Sequence, residues 1–162
     1  MKKILLLSAM AGGMALGAQA QFQVANSDFE QWENVSYKSY NGPEPLNWNS
    51  FLTGTGNLKS MAGRNQVEKY TEKRPGSSGN YSAKIVSRKV FFNTIAQGNL
   101  TTGCINMGST EATDASGNYN YTNKDVVGQN MPFTGKPDAM KVWVKFVSSQ
   151  NTNQAKVITI LH

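Results

Sequence analysis

Residues 77–92 constrain the fold of this chain more than any other stretch. Tyr81, Ala83 and Ile85 alternate with Ser82 and Lys84, and at a period of two the first set faces a core and the second faces water. Residues 75–80 supply Pro75, Gly76, Gly79 and Asn80 immediately before it, residue types that accept the backbone angles of a tight turn. Further on, Val86, Val90, Phe91 and Phe92 put apolar groups on both faces, which suits an inner strand covered on two sides. An amphipathic helix is the competing reading, and the β-branched and aromatic residues favour a strand.

Other segments repeat the pattern. Val142, Val144 and Phe146 alternate with Lys141, Trp143 and Lys145 in residues 140–147, the cleanest alternation in the sequence. In residues 97–107, Leu100, Thr102, Cys104 and Asn106 alternate with Thr101, Gly103, Ile105 and Met107; small residues there mark the close approach of another backbone or a ligand. A first strand is expected over residues 21–33, with Asn26, Asp28, Glu30 and Trp32 on one side. Residues 156–162 begin a further strand that stops within an apolar run, so the chain is expected to continue past His162. Between these lie loops. Pro43 and Pro45 exclude a central strand from residues 34–45. Residues 53–74 read as a surface excursion with one short helix over residues 65–72, and residues 108–136 as a turn-rich insertion. Regularly spaced strands with Gly- and Asn-rich connections give an all-β antiparallel sandwich, with a jelly roll as the expected topology.

The first twenty residues read as an export signal. Lys2 and Lys3 form the charged start, residues 4–18 the apolar run, and Ala18 to Ala20 the small-residue cleavage site. The run is too short and too rich in Gly and Ala for a membrane span. Cleavage near Ala20 would leave 142 of the 162 residues, one domain with a core, in the periplasm, at the cell surface or outside the cell. Sixteen Lys and Arg against ten Asp and Glu give a net charge of +6, and loss of Lys2 and Lys3 leaves +4. Eight of the basic residues fall between Lys59 and Lys89, where a solvated face is the plain account. No aromatic and basic motif for nucleic acid is present.

Few residues carry obvious chemistry. Cys104 is the single cysteine, and a nucleophilic role would need His162, the one histidine, so a buried structural thiol is expected. Asp114, Ser116, Asn118, Asn120 and Asp125 have the spacing of a calcium loop, but Tyr119 stands where that loop needs glycine. Trp48 and Phe51 sit beside Asn47 and Asn49, as core-rim residues or as a sugar-facing ring. Trp143 between two lysines on a polar face is out of place as core.

Taken in order, Asn26 to Trp32, Pro45 to Trp48, Gly79 to Ile85, Gly98 to Gly103, Pro132 to Pro137 and Val142 to Phe146 resemble the carbohydrate-metabolism domain of exported Bacteroidetes proteins. The resemblance implies a jelly-roll sandwich similar to galactose-binding-like and other carbohydrate-binding modules, here lacking its final strands. It also implies a structural calcium site at Asp28 and Glu30, with backbone oxygens near Asn80.

The leading expectation is thus non-catalytic binding of a polysaccharide or oligosaccharide. Sugars stack their C–H faces on aromatic rings and need polar groups alongside, which points to Trp143 with Lys141 and Lys145, and second to Trp48 with Asn47 and Asn49. A glycoside hydrolase is the first alternative; it needs two carboxyl groups about 5 to 10 Å apart, for which Asp28 with Glu30, or Glu111 with Asp114, are the candidates. A structural or adhesive surface protein is the second.

Overall fold

A computed structural model describes residues 23–61, 65–91, 94–148 and 150–161. The export signal, Phe92 and His162 lie outside these. Among the described residues there is no α-helix, and none long and apolar enough to cross a membrane. The chain is all-β, built as four two-stranded antiparallel ribbons: β1 (Trp32–Tyr37) with β2 (Tyr40–Pro45), β3 (Val67–Tyr70) with β4 (Ser82–Ile85), β5 (Arg88–Phe91) with β6 (Thr94–Ala96), and β7 (Cys104–Met107) with β8 (Asn118–Tyr121). A single 3-10 turn spans Lys59–Met61.

The β1–β2 hairpin corrects the expectation of a loop over residues 34–45. Tyr37 pairs with Tyr40 across a two-residue turn, in which Lys38 takes a φ of 53°, the sign that primed hairpin turns require at their first central residue. Hydrogen-bonded and non-hydrogen-bonded pairs then alternate up the ladder. Counting from the closing pair puts Asn34↔Pro43 and Trp32↔Pro45 at non-bonded positions. Neither proline is asked for the N–H it lacks, so a peripheral ribbon tolerates both.

The strand expected over residues 21–33 is confined to its end. Asn26 and Phe29 adopt φ values of 48° and 57°, so the backbone turns where an extended strand had been expected. The Asn26 side chain fixes that turn, accepting from Gln31 N (3.0 Å) and donating to the carbonyls of Gln31 (2.8 Å) and Leu46 (2.9 Å). The helix expected over residues 65–72 is instead β3, whose Glu68 pairs with Lys84 and whose Tyr70 pairs with Ser82. The long strand expected over residues 81–92 is two within residues 81–91: the β3–β4 ladder ends with the Val86 N–H bonded to Gln66 O at 2.9 Å, and the chain resumes as β5 at Arg88. Ile85, expected in the core, is 47% exposed at the end of β4.

The core lies elsewhere, between β7 and residues 49–58. Leu52, Val67, Cys104, Ile105 and Met107 are buried, with Phe51 and Leu58 packed against Ile105 and Met107. Residues 49–58 are stitched along β7: Asn49 and Thr101 exchange both backbone bonds (2.6 and 3.0 Å), Thr55 N donates to Ile105 O (2.7 Å), and Met107 N donates to Thr55 O (2.9 Å). Two small residues permit this. A Cβ on Gly54 would stand 2.8 Å from the Ile105 carbonyl oxygen, and one on Gly103 would collide with the carbonyl of Tyr121, the close backbone approach that small residues here implied. Cys104 is fully buried, as expected of a structural thiol.

Residues 140–147 and 156–161 are exposed and outside any strand, contrary to expectation. Their alternation specifies two faces, but a strand forms only when its N–H and C=O groups find a partner ladder. None of the four ribbons pairs with either segment.

Candidate functional site

Trp143 is 69% exposed and projects from the segment 140–147. The Arg74 guanidinium lies over its ring, 4.9 Å from the centroid. Two residues on, Lys145 forms an ion pair with Glu72, and that carboxylate holds the ammonium above the usual lysine range. Trp143 against Arg74 and Lys145 against Glu72 run in antiparallel order, so these side chains fasten the segment beside the end of β3. Lys141 is exposed, two residues before Trp143 in the same segment. Trp143 and Lys145 are thus held side by side, and the indole stays 69% exposed with Arg74 over its ring.

Trp48 and its asparagines are placed differently. The indole is half-buried, donates from Nε1 to Ala25 O (3.1 Å) and packs at a tilt on Phe29, with ring centroids 5.2 Å apart. It lines a groove of about 470 Å³ together with Asn47, Glu33, Glu44 and Lys59. Asn49 also borders the groove, but it is 7% exposed and its amide is used to hold Gly128 O at 2.6 Å. Of the two, Asn47 is the exposed one.

The carboxylates sequence reasoning did not select are those in this groove. Glu33 and Glu44 face each other across the β1–β2 ladder, a pairing invisible while residues 34–45 were read as loop. Burial pushes the Glu44 carboxyl up, against the N–H of Ser50 and the hydroxyl of Thr53, which bonds both its oxygens at 3.0 Å.

Glu30 and Asn80 do meet, though through N–H donors: Asn80 N at 2.6 Å and Tyr81 N at 2.9 Å both reach Glu30 Oε1. The Tyr81 bond leads in holding this carboxyl below its usual value. Asp28 is exposed. A calcium ion needs oxygen lone pairs, and this arrangement turns protons towards Glu30. Among the described residues no three His, Cys, Asp or Glu side chains gather as a metal site. Asp114 closes its own turn, accepting from the Ser116 hydroxyl (2.6 Å), Ser116 N (3.0 Å) and Gly117 N (3.2 Å). Those bonds hold its carboxyl low, the Ser116 hydroxyl foremost.

No family model matches the chain, and no curated protein or solved structure matches it either.

Proposed function

We propose that this chain is a non-catalytic glycan-binding module, with an antiparallel β-sandwich of the jelly-roll type as its architecture and export from the cytoplasm as its route. The supporting observation is the open indole of Trp143, flanked by Lys141 and Lys145 and presented at the edge of the β3–β4 ribbon. A flat apolar ring with polar donors alongside satisfies both halves of a sugar, its C–H face and its hydroxyls. Trp48 with Asn47 in the groove is the second sugar-facing position.

The hydrolase reading has less support. Glu30 is occupied by the Asn80 and Tyr81 amides, and Asp114 is committed to its turn. Glu33 and Glu44 share the groove, yet both oxygens of Glu44 are engaged by Thr53, so the pair is not two free acids. The structural calcium implied by the resemblance would require the Asn80 and Tyr81 amides to turn away from Glu30.

Retention on a panel of polysaccharide gels tests the proposal. Trp143→Ala is expected to abolish retention without changing the melting temperature. Retention unchanged by that substitution removes Trp143 from the site.

A further inference from the structure

The charge of this chain is strongly partitioned. Residues 59–89 hold eight Lys and Arg against Glu68 and Glu72, a net +6, whereas the rest of the chain beyond residue 20 holds six Lys and Arg against eight Asp and Glu, a net −2. Both glutamates of the basic stretch are already neutralised: Glu68 by Lys84 (2.9 Å) and by Arg88, Glu72 by Lys145. The surplus is therefore positive, and Lys69, Lys73 and Arg74 of it lie on or beside the β3–β4 ribbon.

That surplus is arranged on aromatic rings. Arg74 stands over Trp143, and the Lys84 ammonium lies 5.0 Å from the centroid of Tyr70, itself 38% exposed. On the other face of the ribbon Lys69 lies 3.7 Å from the Tyr81 centroid. A neutral sugar needs a ring and hydrogen-bonding groups, and gains little from cations at the ring face. A sugar bearing an anionic group uses both, since an Arg fork matches a carboxylate or sulfate in two parallel bonds. Clustered cations also repel one another, and an incoming polyanion relieves that repulsion.

We infer that the polysaccharide received at Trp143 is acidic, its sugar ring stacking on the indole while its carboxylate or sulfate groups meet Arg74 and Lys141. This rests on the glycan-binding reading above and narrows it to a ligand class. Arg74 and Lys141 carry the charge recognition because neither is committed to Glu68 or Glu72, the acids that hold Lys84, Arg88 and Lys145.

Matched pairs of gels decide it. Polygalacturonate is compared with methyl-esterified pectin, and dextran sulfate with dextran, so that each pair differs in charge on one backbone and the two pairs separate carboxylate from sulfate. The wild-type chain is expected to be retained by at least one acidic member more strongly than by its neutral partner, in a salt-sensitive manner. Arg74→Gln and Lys141→Gln should each weaken acidic retention about fivefold, more than they weaken neutral retention, with the melting temperature unchanged. Trp143→Ala should reduce retention on the preferred acidic gel. Equal retention on both members of each pair overturns the acidic assignment and leaves glycan binding standing. Retention on none of the gels overturns both readings. Acidic retention that survives Trp143→Ala is plain ion exchange and overturns the inference too.

Discussion

Gly54→Ala probes the seam on which the core depends. The added methyl would lie 2.8 Å from Ile105 O and 2.9 Å from the Met107 methyl. The methionine end can swing aside, whereas the carbonyl belongs to β7 and accepts the Thr55 N–H at 2.7 Å. A carbon needs roughly 3.3 Å from a carbonyl oxygen, so residues 54 and 55 must withdraw by about half an ångström, stretching that bond and loosening the cover over Ile105. Crowding a packed position costs about 1–3 kcal/mol, and replacing glycine by alanine returns about 0.4–1 kcal/mol by restricting the unfolded chain. The expected net loss is about 1–2 kcal/mol. With a urea dependence of about 2 kcal/mol per molar, the unfolding midpoint should fall by roughly 0.5–1 M with an unaltered slope. A midpoint equal to or above that of the parent chain would refute the reasoning, because it would mean that β7 and residues 49–58 are not in the contact described.

Two further outcomes follow from the carboxylates. Because burial raises the folded-state pKa of Glu44, the folded chain binds its proton more tightly than the unfolded one; stability is therefore greatest below the ordinary carboxylate value and declines as pH rises through the folded pKa. Glu44→Gln, which keeps an acceptor for Ser50 and Thr53, should melt higher than the parent at neutral pH, with the gap closing on acidification; a gap independent of pH contradicts this. Glu30 runs the other way, its lowered value giving stability above the ordinary carboxylate range that fades as pH falls through the folded pKa. Because the Asn80 and Tyr81 N–H groups already occupy Glu30, a chelator should leave the melting temperature of the parent unmoved, and a chelator-dependent fall that Glu30→Gln abolishes would contradict this reading of the site.

Local pattern announced some elements and concealed others. The alternation of Tyr81 to Ile85 located β4, and Gly103 signalled the approach of the Tyr121 backbone, because both are consequences of short-range geometry. Residues 65–72 carry no strong period, so only pairing with β4 reveals that Val67–Tyr70 is extended. Pro43 and Pro45 argued against a strand, and the register that makes them harmless is set by the turn at Lys38 and Ser39. Trp143 was recognisable as a solvent-facing ring from its lysine neighbours. Its partner Arg74 lies 69 positions away, so nothing nearby in the sequence could have named it.

Among the described strands, β7, which carries the core, is bonded on both sides. β8 bonds one side of β7, and Thr55 bonds the other through Ile105 and Met107. In deuterated buffer the Met107 amide, which donates to Thr55 O within the buried core, should accordingly be among the last to exchange, whereas each remaining hairpin can open on its own. The molecule would then lose its structure from the periphery inwards, with residues 104–107 as the final cooperative unit.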